Sequence, residues 1–185
     1  MIPGGPALNT ADPPILVCAD LQVQHLRGHG IAGDAVARCQ TLLELWRTER
    51  WPVMHLKRIA QAAWFGPASR LTDWAAEFRP RPGEMVFEHP LPSAYSSSRF
   101  ADYMASMRSV HCLVAGCSLD ETILATVIEG FHRGHRFGVV ADAVTCLPAA
   151  AGDAESHRAS MMRAIRKFAA VELSLPLIES AASEA

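Results

Sequence analysis

The run Leu113-Val-Ala-Gly-Cys-Ser-Leu-Asp-Glu-Thr-Ile-Leu-Ala-Thr126 constrains this chain more than any other. Its apolar opening, Leu113 to Ala115, breaks at Gly116, and a helix start follows at once. Ser118 can cap that helix, and Glu121 stands three residues on, the spacing of a capping box. Ile123, Leu124, Val127, Ile128 and Phe131 then recur at helical spacing. A buried strand feeding directly into a capped helix is the unit from which parallel α/β proteins build their sites. Helix N–H groups and the positive end of the helix dipole face the crevice at the strand's carboxyl end.

The rest of the chain repeats this alternation. Strands are expected at 14–20, 52–57, 84–88, 111–115, 137–141 and 170–173. Helices are expected at 34–50, 100–107, 119–133 and 153–168. Asp34 and Asp153 serve as caps and Gly134 as a terminator. Strands as apolar as Ile15-Leu-Val-Cys18 are buried on both faces, which requires helices above and below. The expected fold is therefore α/β, a three-layer αβα sandwich with a doubly wound, mainly parallel six-stranded sheet. A length of 185 residues suits one domain, with 1–13 as an N-terminal extension and 174–185 as a loose tail. Residues 60–83 make a long connection of the kind that forms lids or subunit contacts.

Composition narrows the function. A formal charge of −2 with interspersed signs gives no basic face for nucleic acid. No apolar stretch approaches the roughly 20 residues that cross a bilayer, and residues 1–13 lack signal-peptide regions. Five cysteines without paired spacing suit reduced thiols in a cytoplasmic protein.

Residues that end parallel strands meet at one rim. Here they are Asp20, Lys57, Glu88 or His89, the Gly116–Thr122 turn and Asp142. An acid, a histidine or lysine, and a hydroxyl or thiol suffice there for acyl chemistry. The same residues also have plain structural roles, Asp20 capping a loop and His89 starting a turn before Pro90. Gly28-His-Gly-Ile-Ala-Gly33 fits G-x-G-x-x-G. It lies too far from the first strand, and the second strand ends in Lys57-Arg58 with no acid for a ribose, so no nucleotide cofactor is expected. The histidine pairs 25/29 and 132/135 have no metal-binding geometry.

Ordered together, several short motifs resemble the isochorismatase-like hydrolases, also called cysteine hydrolases. Leu16-Val-Cys-Ala-Asp-Leu-Gln22 is similar to that family's first strand with its Asp-x-Gln ending. Pro82-Gly-Glu84 and Ser93-Ala-Tyr95 resemble its PGE and SAF stretches, and Val114-Ala-Gly116 through Thr126 its nucleophile turn. Val139-Val-Ala-Asp-Ala143 resembles the strand that follows. The resemblance implies an Asp–Lys–Cys site in which a thiolate attacks an amide or related carbonyl. The Asp moves the proton, and the turn's N–H groups, with a cis peptide, form the oxyanion hole. It implies a small-molecule substrate and a homo-oligomer.

Asp20 matches the family's Asp, but His89 stands at the Lys position and Thr122 at the Cys position. A threonine hydroxyl needs a base beside it before it attacks anything. Four readings follow. His89 links Asp20 to Thr122 as an acid–imidazole–hydroxyl relay. Asp20 donates a proton to a vinyl ether, as in some members of the family. Cys117 attacks from a shifted position. Or catalysis is lost and the pocket only binds. Gln22, Lys57, Gly116 and Ser118 are the expected substrate contacts. The Asp and two His of the family's metal-dependent branch are replaced by Lys57-Arg-Ile-Ala-Gln61, so no metal is expected.

Overall fold

The computed structural model describes residues 12–27, 33–59, 72–107, 110–146 and 153–182. Six strands form one sheet: β1 (Ile15–Ala19), β2 (Val53–Arg58), β3 (Met85–His89), β4 (His111–Gly116), β5 (Arg136–Val144) and β6 (Ala170–Glu172). Their order is β3-β2-β1-β4-β5-β6, and every pair is parallel. Among the described residues, six α-helices accompany them: α1 (Val23–Arg27), α2 (Gly33–Thr48), α3 (Ser98–Ser106), α4 (Leu124–His132), α5 (Ala154–Ile165) and α6 (Ser174–Ala182). The strand order reverses between β1 and β4, and the crevice at such a reversal is where doubly wound sheets bind ligands.

Each sheet face buries its own layer. Ile15, Val17, Met54, Leu56, Phe87, Val114 and Val139 pack with Phe100 and Met104 of α3, Val127 of α4 and Ile165 of α5. Leu16, Cys18, Val53, Leu113, Ala115 and Val140 pack with Leu42, Leu43 and Trp46 of α2 and Leu177 and Ala181 of α6. Alternation along the strands thus feeds two cores, as expected for strands covered on both sides.

Two boundaries differ from the expectation. β5 continues to Val144, past the expected end at Ala141. The segment after Ser174 is a helix through Ala182, not a loose tail. Its start is capped from a distance: the carboxylate of Asp142 accepts from Ser174 N (2.9 Å) and from Ser174 Oγ (2.6 Å). That bond spans 32 residues, so local patterning does not reveal it, and it takes Asp142 out of the expected rim. Residues 28–32 of the glycine pattern lie outside the described residues, and Gly33 opens α2.

Glu84 anchors the start of β3. Its carboxylate accepts a two-pronged contact from Arg47 on α2, Nε at 2.7 Å and Nη2 at 3.0 Å, and a bond from Arg81 N at 2.7 Å. His55 Nε2 stands 2.8 Å away. Burial by itself raises the Glu84 carboxyl, but these donors outweigh it and hold the group down at about 2. Burial lowers the fully buried His55. Because the folded Glu84 titrates below its unfolded value, its contribution is complete above that value and fades as pH falls toward about 2. In Glu84→Gln, the acid limb of a stability-versus-pH curve below about pH 4.5 should be shallower than in the parent. Urea unfolding at a series of pH values measures this, and parallel curves would remove Glu84 from the acid response.

Candidate active site

Strand geometry selects which rim residues meet. Met54 and Leu56 face α3 and α4, so Arg58 points the same way, whereas Lys57 lies on the face of Val53 and His55. Phe87 and His89 share a face by the same rule. Asp20 follows the last residue of β1 and takes φ 46°, a left-handed conformation that Asp tolerates better than most residues. This takes it out of the strand's alternation.

The carboxylate of Asp20 is the centre of the cluster. Oδ1 lies 2.8 Å from His89 Nε2, and Oδ2 accepts a 2.7 Å bond from Thr122 Oγ1. Asp20 and His89 are 0% exposed and Thr122 1%. The other nitrogen of His89, Nδ1, lies 2.7 Å from the Leu91 carbonyl. A carbonyl only accepts, so Nδ1 carries a proton. Exactly one more proton then lies between Nε2 and Oδ1. The pair is either imidazolium with carboxylate or imidazole with carboxylic acid, and it is net neutral in both. Leu91 stands between Pro90 and Pro92, whose fixed φ angles hold the accepting carbonyl in place.

Thr122 is delivered by a π-wound turn, Leu119–Ile123, that leads into α4. Ile123 N donates to Ser118 O at 3.0 Å, a five-residue span. The expected capping box is absent. Ser118 is at the N-cap position, but its side chain makes no capping bond. Glu121 turns instead to Arg58, Oε1 to Nη2 at 2.5 Å. The wider π turn displaces the third helical position from where a box would close. The peptide between Cys117 and Ser118 is cis.

Behind the turn, Gly116 lies against β1 at φ 124°. A Cβ there would stand 2.2 Å from the Ala19 carbonyl oxygen. Cys117 N donates to that same oxygen at 2.8 Å. Thr145 closes the far side, its N donating to Gly116 O at 3.0 Å and its carbonyl accepting from Leu119 N at 2.7 Å.

The remaining expected residues divide. Gln22 is fully buried and committed to backbone: Nε2 donates to Arg58 O (3.1 Å) and Thr72 O (2.7 Å), and Oε1 accepts from Arg58 N (2.9 Å). It ties the ends of β1 and β2 to residue 72. Lys57 pairs with Glu88 at 3.3 Å on the opposite face. Cys117 is 0% exposed, takes a bond from Thr145 Oγ1 at 3.2 Å, and burial pushes its thiol up to about 12. Such a thiol is not a thiolate at neutral pH. The hydrogen bonds also run in a different order from the relay with histidine in the middle: Asp20 is the shared partner of His89 and Thr122. Sequence reading passed over Arg58, although the alternation Met54, Leu56, Arg58 marks it as the basic residue facing the turn. A guanidinium nitrogen of Arg58, Nη1, is buried without a hydrogen-bond partner.

The isochorismatase domain family matches residues 14–174. The chain belongs to this family. Among solved structures, an isochorismatase from Pseudomonas putida is 22% identical with a TM-score of 0.82, covering 94% of this chain and 93% of its own. A cysteine hydrolase from Pseudomonas syringae is 16% identical with a TM-score of 0.82, covering 98% of each chain. N-carbamoylsarcosine amidase from Thermoplasma acidophilum is 20% identical with a TM-score of 0.66, covering 87% and 96%. At these identities the likeness is one of fold. The comparison with curated proteins gave no match.

In this member of the isochorismatase family the turn depends on glycine at 116. Gly116→Ala forces both a strained backbone and a collision with the Ala19 main chain. It should cost roughly 2–5 kcal/mol, read as a drop in the urea midpoint. A midpoint within error of the parent would mean that β1 and β4 separate easily at this point.

Proposed function

We propose that the chain hydrolyses a small amide or carbamoyl compound, with Thr122 as nucleophile and Asp20 as proton shuttle. The observation that carries this reading is the 2.7 Å bond from Thr122 Oγ1 to Asp20 Oδ2, which aims the hydroxyl proton at a base. In the form with imidazolium and carboxylate, Asp20 takes that proton as Oγ1 attacks the carbonyl carbon. The oxygen of the tetrahedral intermediate gains the negative charge, and N–H groups at the helix start oppose it. Asp20 then passes the proton to the leaving nitrogen as the C–N bond breaks. Water enters, Asp20 removes one of its protons, and the acyl–threonine ester is cleaved, returning the proton to Oγ1.

His89 takes the role of the family's lysine. With both ring nitrogens protonated it is a cation 2.8 Å from the shuttle, the same charge at the same position. Arg58, facing the turn, suits a substrate with a carboxylate or other anionic group. All five cysteines are free thiols, which fits a reducing cytoplasm. Among the described residues no helix is long and apolar enough to cross a membrane. The reading includes a homo-oligomer, as the resemblance implies.

A second reading has its own support. The single proton between Asp20 and His89 can equally be donated to the double bond of a vinyl ether, with no nucleophile required. The two readings separate at Thr122. For amide hydrolysis, Thr122→Ala should lower kcat/KM by about 10³-fold or more. For vinyl-ether protonation it should stay within about tenfold, since no bond to the hydroxyl is formed. In both, Asp20→Asn should lower kcat/KM by about 10²–10⁴-fold, and Asn tolerates the left-handed backbone at this position. Turnover across a panel of small amides, carbamoyl compounds and vinyl ethers measures this. No turnover of any of them by the parent would support a binding protein in place of an enzyme.

A further inference from the structure

Beside the active-site turn, three metal-ligating side chains converge from three elements. Asp120 comes from the π turn, Cys146 from the segment just past β5 and His157 from the first half of α5. A carboxylate oxygen, the thiol sulfur and a ring nitrogen all lie within 4.8 Å of one another. His157 Nε2 is already 3.0 Å from Asp120 Oδ2. We propose that Asp120, Cys146 and His157 bind one borderline-soft divalent cation of the Zn²⁺ class.

The geometry and the chemistry agree. A tetrahedral Zn²⁺ with ligand bonds of about 2.0–2.3 Å needs its donors about 3.3–3.6 Å apart. The His157–Asp120 pair is within a few tenths of an ångström of that, and the sulfur, within 4.8 Å of both, is close enough for a small adjustment to complete the set. One sulfur, one nitrogen and one oxygen favour Zn²⁺ over the oxygen-seeking Mg²⁺ and Ca²⁺. Three protein ligands leave a fourth position for water. The carboxylates of Asp120 and Glu155 lie near the thiol and favour a dication there, with Arg158 opposing. Arg158 is engaged elsewhere, donating to the carbonyls of Val144 and Ala141.

Binding has a definite proton balance. The cation takes the lone pair of His157 Nε2, which gives up its bond to Asp120. The Cys146 thiol releases its proton to solvent as the metal–sulfur bond forms and metal-bound waters leave. Affinity therefore rises with pH. Position gives the site its consequence. Asp120 is two residues before Thr122, and Cys146 follows Thr145, which already bonds Gly116, Cys117 and Leu119. A bound cation would staple the turn to β5 and α5 from outside the Asp20 cluster. The three ligands are scattered over 37 residues with no motif spacing, so local sequence pattern does not reveal them.

Titrating Co²⁺ into the purified full chain tests this. The expected result is saturation at one equivalent with a thiolate-to-cobalt charge-transfer band, apparent affinity rising with pH, and displacement by Zn²⁺. Cys146→Ser should abolish the band, and His157→Gln and Asp120→Asn should each weaken binding by about 10-fold or more. His157 is partly exposed, so its variant should melt at the parent's temperature without metal. No thiolate band at millimolar Co²⁺, or a band that survives Cys146→Ser or binding unchanged in His157→Gln, would overturn the proposal.

Discussion

The close backbone approach of Ala19 and Gly116 is the contact on which the site depends. It lies where the sheet reverses direction, with β1 and β4 in register from Ile15 with Cys112 to Ala19 with Gly116. The last carbonyl of β1 accepts the first N–H beyond β4. Any side chain at 116 would occupy the position of that carbonyl. Because the two strand ends touch here, Asp20 and the turn carrying Thr122 leave the sheet side by side. Residues 102 apart in sequence are thereby brought into hydrogen-bond contact. Gln22 and Thr145 brace the two sides of this junction through backbone bonds.

From this junction follows the electrostatic logic of the cluster. A buried carboxylate is tolerable only with strong donors or a shared proton. Asp20 has both, one hydroxyl and one imidazole. The Leu91 carbonyl fixes the proton on the far side of His89 and so leaves a single mobile proton on the near side. On the reading proposed above, histidine stands where the resemblance implies a lysine and threonine where it implies a cysteine, and a threonine hydroxyl needs an adjacent base such as Asp20.

Much of the fold was legible from local pattern. Apolar strands alternating with capped helices specify a two-sided parallel sheet, and Gly116 marks the turn after β4. Asp153 does cap α5, accepting from Glu155 N. Two misjudgements share one cause. Ser118 with Glu121 reads as a capping box, and Ser174 onward reads as a loose end. In both the deciding partner is distant in sequence: Arg58 holds Glu121, and Asp142 caps Ser174.

The sequence by itself determined the α/β class and the six strands, and it named Asp20, His89 and Thr122 as candidates. Hydrophobic period and turn residues are local signals, and motif order survives without coordinates. Only the tertiary structure decided that Asp20, not His89, is the shared hydrogen-bond partner. It alone showed Cys117 and Gln22 fully buried and hydrogen-bonded within the protein, and brought Asp120, Cys146 and His157 together. Those outcomes depend on distances of a few ångströms between strand and helix ends, set by sheet packing and not by any one segment.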